Sequence, residues 1–157
     1  MDRRVFLGGA VSASVFLGQP SWAAIAPGPF EVERTDAEWR AMLTDLQYRV
    51  MRQGGTERSG SSPLDDEHRR GRFHCRGCDL RLYHSRHKYD SGTGWPSFWD
   101  VLPNAIGTME DRRLLRVRTE CHCRRCGSHL GHIFGDGPQP TGLRHCLNGV
   151  SLVFRPA

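Results

Sequence analysis

The chain has 157 residues, a formal net charge of +5 and a pI near 9.1, a length that fits a single domain. It contains 18 glycines, 9 prolines and no long apolar run after residue 30, which predicts a loop-rich, strand-rich domain with a modest core. Lys88 is the only lysine and the arginines are scattered. A solvated basic surface therefore explains the charge better than a nucleic-acid-binding patch, and we expect no nucleic-acid partner.

An export signal is predicted at the N-terminus. Two arginines at positions 3–4 precede a weakly apolar run, rich in glycine, alanine and serine, that ends near Trp22. We interpret residues 1–26 as a twin-arginine-type signal peptide cleaved near Ala23 or Ala26. An uncleaved membrane anchor is the alternative, but polar residues dilute the run. We expect a periplasmic or exported protein that is not stably inserted in the membrane once the signal is removed.

Two short helices and several strands are predicted after a leader over residues 27–34, in a domain over 35–157. Thr35-Asp36-Ala37-Glu38 forms a capping box that opens a helix with Trp39, Met42 and Leu43 on one face. A second capping pattern at Thr44 predicts another helix from Asp45 to about Gln53, which Gly54-Gly55 ends. Strands are expected at 72–75, 80–83, 114–121, 130–134 and 149–154.

Four of the six cysteines form two Cys-x-x-Cys pairs, Cys75/Cys78 and Cys123/Cys126. Each pair places two thiolates on a tight turn, and two such pairs suit one closed tetrahedral Zn²⁺ site of structural type. Disulfides or redox pairs are the alternative in an exported protein. Twin-arginine export carries folded proteins, which allows metal loading in the reducing cytosol. Residues 79–122 separate the pairs, so the metal would join distant parts of one domain.

The remaining chemistry lies towards the C-terminus. Cys146 follows Arg144 and His145 outside any cysteine pair, which is typical of a nucleophile whose thiolate is favoured by a cationic neighbour. His129 and His132 precede it and suit acid–base work, although loop hydrogen bonding or a second metal site would also explain them. Upstream, a glycine-rich loop presents Trp95, either as core or as the wall of an apolar pocket.

From Phe73 to Phe154 the chain resembles the B-type methionine sulfoxide reductases, which act on the R epimer. The matching segments are Cys75-x-x-Cys78, Tyr89-Asp90-Ser91-Gly92, Gly94-Trp95-Pro96-Ser97-Phe98, Cys123-x-x-Cys126, Ser128-His129-Leu130-Gly131-His132-Ile133-Phe134, Asp136-Gly137-Pro138 and Thr141-Gly142-Leu143-Arg144-His145-Cys146-x-Asn148. Gly55-Thr56-Glu57 and the helices also resemble the family's N-terminal part. The resemblance implies a mainly β fold of two antiparallel sheets with short N-terminal helices and a four-cysteine zinc site distant from the active site.

The resemblance also implies roles for individual residues. Cys146 is the expected nucleophile, Trp95 holds the S-methyl group of the substrate, and Phe134 contributes to substrate binding. The polar pocket around the sulfoxide oxygen is expected to contain His129, His132, Asp136, Arg144 and Asn148. We expect His129 or His132, positioned by Asp136, to protonate the sulfoxide oxygen, and attack by Cys146 to leave a sulfenic acid.

Two departures from the family pattern concern how that sulfenic acid is reduced. Many members carry a recycling cysteine two residues before the pocket tryptophan, where this chain has Thr93. Cys121 is either a substitute resolving cysteine or a buried thiol; in the second case an external thiol reduces Cys146 directly. His145 stands where a tyrosine is often found and either tunes Cys146 or packs in its place.

We expect a monomer that acts on protein-bound methionine-R-sulfoxide with a thioredoxin-like reductant, in repair of oxidised exported proteins. Two other classes of function remain as alternatives. A nucleic-acid-binding module would use the aromatic side chains for stacking, and a metal carrier would bind a second metal equivalent through its histidines.

Overall fold

The computed structural model describes residues 26–114 and 116–157. The predicted signal peptide, apart from Ala26, lies outside the described residues. None of the helices within these two ranges has both the length and the apolar character needed to cross a bilayer. The predicted leader, 27–34, packs on the domain, since the Val32 amide donates to the Arg125 carbonyl at 2.9 Å.

Both predicted helices are confirmed, α1 at Asp36–Met42 and α2 at Asp45–Gln53. Each begins with a complete capping box, formed by Thr35 with Glu38 and by Thr44 with Gln47. Gly54 ends α2 with a φ of 65°, a left-handed conformation that favours glycine. One part of the prediction was wrong: Trp39 and Leu43 are buried, whereas Met42, the last residue of α1, is exposed.

In the described part of the chain, nine strands form two antiparallel sheets, the architecture that the family resemblance implied. The smaller sheet has the order β2-β1-β9 and the larger one the order β3-β4-β8-β7-β6-β5. The strands are β1 Gly71–Cys75, β2 Arg81–His84, β3 Lys88–Tyr89, β4 Ser97–Phe98, β5 Ile106–Asp111, β6 Arg118–Cys123, β7 His129–Phe134, β8 Arg144–Leu147 and β9 Leu152–Pro156.

Sequence patterns located five of the nine strands and missed both two-residue strands as well as β5 and β8. The strand expected at 114–121, of which residue 115 lies outside the described residues, corresponds to β6 from Arg118. The one expected at 149–154 is a 3₁₀ turn at Gly149–Ser151 followed by β9. Strands β3, β4, β5 and β8 were not predicted. Strands β3 and β4 have two residues each, too few for a period of two to be visible, and exist because neighbouring strands supply their hydrogen bonds.

The core lies between the sheets. Phe73 of β1 and Tyr83 of β2 are paired and pack on Phe98 of β4, with ring centroids 4.9 and 4.6 Å apart. The other face of the large sheet carries a row of directly paired residues: Ser97, Cys146, His132 and Glu120. Because paired residues project from the same face of a sheet, the pairing register places these side chains side by side.

Candidate active site

A cavity of about 180 Å³ opens above this row of side chains. It brings together five residues predicted from the sequence: Cys146, His132, Asn148, Trp95 and Phe134. Four more residues complete the walls. The sequence analysis quoted two of them only within motifs, Thr56 and Gly131, and did not single out the other two, Arg118 and Leu147. Of the two positions predicted for Trp95, core or cavity wall, the structure therefore supports the cavity wall.

Cys146 is half-buried at this cavity. Burial raises the pKa of its thiol, while the Thr93 hydroxyl and the Arg144 guanidinium act in the opposite direction. The expected cationic neighbour is thus present, but in the unliganded pocket its effect is smaller than that of burial. The thiolate is therefore a minor species at neutral pH until further contacts favour it.

His132 is held by a buried carboxylate that sequence reasoning missed. Its Nε2 lies 2.7 Å from Oδ2 of Asp111, a side chain with no exposed surface. Asp111 also accepts hydrogen bonds from Arg113 and Arg118, and the Arg113 bonds hold the pKa of Asp111 well below its usual range. An ionised carboxylate only accepts, so His132 must carry its proton on Nε2. No local sequence pattern predicts the role of Asp111, because its contact with His132 forms only when β5 and β7 come close together in the folded sheet.

The structure corrects the predicted partner of the histidines. His129 Nδ1 lies 2.6 Å from Glu120 Oε1, and neither His129 nor His132 contacts Asp136. Burial alone would raise the pKa of Glu120, but the hydrogen bonds with His122 and His129 lower it overall. His129 is fully buried, does not line the cavity, and its ring centroid lies 5.4 Å from that of His132.

Asp136 is instead the partner of Arg144. The Arg144 Nε and Nη2 atoms donate to the two carboxylate oxygens, each at 2.9 Å. The guanidinium carbon also lies 4.4 Å from the centroid of the Phe134 ring. This bidentate pair and the ring contact fix Arg144 beside Cys146, two residues along β8.

Glu57 organises the opposite wall of the cavity. Its backbone amide donates to Asn148 Oδ1 at 2.9 Å, and its backbone carbonyl accepts from Trp95 Nε1 at 3.2 Å. Its buried carboxylate accepts from the amides of Gly149 and Val150. The sequence marked Glu57 only through the motif Gly55-Thr56-Glu57, without a role.

The structure does not bring Cys121 to Cys146. Cys121 pairs with Gly131, which pairs with Leu147, whereas Cys146 pairs with His132. Neighbouring residues on a strand project from opposite faces, so Cys121 and Cys146 lie on opposite faces, two strands apart. A direct disulfide would require rearrangement of the sheet. Cys121 is a fully buried thiol whose pKa is raised by burial.

His145 likewise points away from the cavity. Its Nδ1 lies 3.1 Å from the Tyr83 hydroxyl, and the two rings meet edge to face. Burial lowers the pKa of His145 to about 4. Of its two predicted roles, the contacts fit packing in the core.

The four paired cysteines converge on one point. Their sulfur atoms all lie within 4.8 Å of one another, with Cys75–Cys126 at 3.6 Å and Cys78–Cys123 at 3.5 Å. Four thiolates around a tetrahedral ion with bonds of about 2.3 Å would stand roughly 3.8 Å apart, so this arrangement fits a metal. None of the four lines the cavity.

The helices support this cluster. Arg52 of α2 donates to the Cys126 carbonyl at 3.0 Å and lies 4.5 Å from the ring of Trp39 in α1. Within residues 26–114 and 116–157, no other group of three or more His, Cys, Asp and Glu side chains converges in this way. The second metal site that a metal carrier would need is therefore not found in those ranges.

Comparison with known proteins gives the family. A model described as "SelR domain" matches residues 43–156. "Peptide methionine sulfoxide reductase MsrB" of Thiobacillus denitrificans is 50% identical over 124 residues, which cover 78% of this chain and 94% of that protein. The protein of the same name from Leifsonia xyli subsp. xyli is 49% identical over 131 residues, covering 82% and 94%. The one from Methanosarcina mazei is 46% identical over 125 residues, covering 79% and 89%. With this fold, cavity and cysteine cluster, the chain belongs to the SelR domain family of B-type methionine sulfoxide reductases.

Proposed function

We propose that the chain is a peptide-methionine (R)-S-oxide reductase in which Cys146 attacks the sulfoxide sulfur. The observation that carries this proposal is that Cys146, His132 and Trp95 line one small cavity. A nucleophile, a proton donor and an apolar wall are the three groups that reduction of a methyl sulfoxide needs. The cavity has room for the methyl sulfoxide end of a side chain rather than for a folded surface.

His132 is the proton donor in this mechanism. Because Asp111 holds the Nε2 proton, Nδ1 of the protonated ring is the nitrogen available to the sulfoxide oxygen. Burial lowers the pKa of His132, and Asp111 opposes that effect. The ring of His129 lies next to that of His132, with centroids 5.4 Å apart. Asp136 positions Arg144, whose guanidinium acts on the sulfur of Cys146.

The reductive step transfers one oxygen. The Cys146 thiolate attacks the sulfoxide sulfur while His132 protonates the oxygen, which forms a bond between the two sulfur atoms. That bond and the S–O bond to methionine then break as the hydroxyl moves to the Cys146 sulfur, which leaves a sulfenic acid on Cys146 and releases methionine. Trp95 and Phe134 contact the S-methyl group, and Asn148, held by Glu57, orients the polar side of the substrate. The net change is one thiol and one sulfoxide converted to one sulfenic acid and one thioether.

An external dithiol then restores Cys146. Two thiol groups of a thioredoxin-like protein reduce the sulfenic acid, giving one disulfide on that protein and one water. This route needs no second cysteine in the chain, which is consistent with Thr93 near Cys146 and Cys121 on the opposite face of the sheet.

We further propose that Cys75, Cys78, Cys123 and Cys126 hold one Zn²⁺ ion. The ion would contribute stability and take no part in the reaction, because four thiolates leave no open coordination position. Export through the twin-arginine signal at residues 1–26 would place the enzyme in the periplasm, where it repairs oxidised exported proteins as a monomer. Replacing Arg3 and Arg4 together with lysine should retain the protein in the cytosol, and undiminished export in a fractionation experiment would refute this assignment.

The test of the activity uses a racemic methionine sulfoxide peptide and the reduced, zinc-loaded protein without reductant. We expect one methionine per protein, a gain of one oxygen trappable at Cys146, and the S epimer left over. Cys146→Ser should form no methionine but retain the metal. Depletion of the S epimer, or full activity of Cys146→Ser, would contradict the assignment, and loss of two hydrogens would instead indicate a disulfide.

A further inference from the structure

Three buried or half-buried hydroxyls form a chain that ends at Cys146. Thr93 Oγ1 lies 4.0 Å from Cys146 Sγ and 2.8 Å from Ser91 Oγ. Ser91 Oγ lies 2.7 Å from Ser97 Oγ, which donates to the Trp95 carbonyl at 3.0 Å. The chain therefore runs from the nucleophile to the backbone of a residue that lines the substrate cavity.

The backbone fixes this loop in place. Gly94 has a φ of 81°, and its carbonyl accepts from the Gly60 amide at 2.7 Å. The Thr93 carbonyl accepts from Ser59 Oγ at 2.8 Å. A side chain at Gly94 would collide with Ser59 and Gly60, so the Thr93 hydroxyl is held beside Cys146 by a closely packed turn.

Each hydroxyl has one proton and can donate one hydrogen bond, which decides the donor and the acceptor at every step of the hydroxyl chain. The Trp95 carbonyl can only accept, so the Ser97 proton is committed to it. Ser97 must then accept from Ser91, and Ser91 must accept from Thr93. Thr93 consequently offers a lone pair to the neutral Cys146 thiol, and all the donors point away from the sulfur.

We propose that the Thr93, Ser91 and Ser97 hydroxyls form a reversible hydrogen-bond chain whose direction follows the ionisation of Cys146. When the thiol ionises, the hydroxyls rotate in concert, Thr93 donates to the thiolate, and Ser97 releases the Trp95 carbonyl. Thr93 stabilises the nucleophile directly, and Ser91 and Ser97 are positioning residues. The proposal rests on Cys146 being the nucleophile, as in the proposed function.

Other groups also act on Cys146 and must stay constant in any test. Arg144 lies on the same strand as Cys146, and His132 of β7 is the residue paired with Cys146. Burial raises the pKa of Cys146, while Thr93 and Arg144 lower it. The remaining titratable or charged groups near the sulfur or around the cavity are Asp65, Tyr89, Cys121, Arg118 and Asp136. None of these groups is changed in the variants below.

The experiment measures the pH dependence of Cys146 alkylation by iodoacetamide in the zinc-loaded full chain, read by peptide mass. Thr93→Val, which keeps the shape but removes the donor, should raise the apparent pKa of Cys146 by about one unit and slow alkylation at pH 7 about tenfold. Thr93→Ser restores the donor and should stay within about threefold of the wild type. Thr108→Val, at an exposed position on β5, is the matched control and should change nothing.

Ser97→Ala distinguishes the chain from a packing effect. Without Ser97, chain reversal no longer breaks the bond to the Trp95 carbonyl, so the apparent pKa of Cys146 should stay equal or fall, opposite to Thr93→Val. The proposal is overturned if Thr93→Val leaves this pKa within about 0.3 unit of the wild type. It is also overturned if Ser97→Ala raises the pKa as much as Thr93→Val does. Alkylation needs no sulfoxide substrate. This experiment can therefore refute the hydroxyl chain without refuting the proposed reductase activity, which is tested separately by methionine formation.

Discussion

Replacing Asp111 with asparagine should impair both the proposed acid function of His132 and the stability of the domain. The carboxylate has no exposed surface and interacts with His132 at 2.7 Å, Arg118 at 2.6 Å and Arg113 at 2.9 Å. Asparagine keeps the shape but removes the charge and leaves both guanidiniums without their anion. Each arginine side chain is about a quarter exposed, and water can compensate in part. We therefore expect the free energy of unfolding to fall by about 2 kcal/mol, rather than by the ~3–5 kcal/mol expected when a fully buried ion pair is broken.

The catalytic effect follows from the two roles of Asp111 towards His132. The carboxylate selects the Nε2–H form and opposes the burial that lowers the pKa of the ring. Without the carboxylate the pKa of His132 falls further, so the pH above which activity declines should move to lower pH. Because His132 would be less well oriented and less often protonated, we expect kcat/KM to fall about 10- to 100-fold.

Peptide sulfoxide reduction across pH and thermal unfolding would measure the two effects. The expected fall in Tm is about 4–8 °C. Glu110→Gln is the matched control, since Glu110 precedes Asp111 on β5 and makes only an exposed pair with Arg112, so its Tm should change little. Wild-type kcat/KM and an unchanged pH profile in Asp111→Asn would refute the assignment of His132 as an acid oriented by Asp111.

Further predictions concern the cavity wall, the close packing of β7 and the core. Glu57→Ala should destabilise the protein by about 2–4 kcal/mol, because the buried Gly149 amide and the part-buried Val150 amide lose their acceptor; an unchanged midpoint in urea would contradict this. Gly131→Ala should cost about 3 kcal/mol or more and abolish activity, since the new Cβ would stand 2.0 Å from the Cys146 carbonyl oxygen, whereas Gly135→Ala meets nothing within 4 Å and should be neutral. Their unfolding curves should differ clearly. Because burial lowers the pKa of His145 to about 4, below its unfolded value of about 6.5, stability should fall by roughly 2–3 kcal/mol from pH 7 to pH 4; His145→Phe should flatten this part of the stability profile. Removing the metal with a chelator should lower Tm, and an identical Tm would argue against a structural metal.

Local signals accounted for the parts of the fold that are local in the chain. The capping boxes at Thr35 and Thr44 and the left-handed Gly54 depend on residues within one turn, and both helices agree with the prediction. The exposed Met42 and the late start of β6 at Arg118 show the limit, because the extent of a short element depends on what packs against it.

The candidate site divides in the same way. The sequence motifs identified Cys146, His132, Trp95, Phe134 and Asn148 as site residues, and the structure gathers these five at one cavity. The sequence did not predict the carboxylates that contact the two histidines. Asp136 follows the histidines in sequence, yet the carboxylates that contact them come from β5 and β6. Proximity in sequence did not predict these pairs, because strand pairing brings together residues far apart in the chain.

The sequence by itself determined the family of this protein and predicted its chemistry. Cysteine spacing and ordered motifs are properties of residue type and position, so they can be recognised without a fold. Tertiary structure alone decided which carboxylate holds each histidine and which face of the sheet carries each cysteine. It also decided that Glu57 joins Trp95 to Asn148 and that three hydroxyls lead to Cys146. These contacts depend on strand register, in which a shift of one residue would move every side chain of a strand to the opposite face.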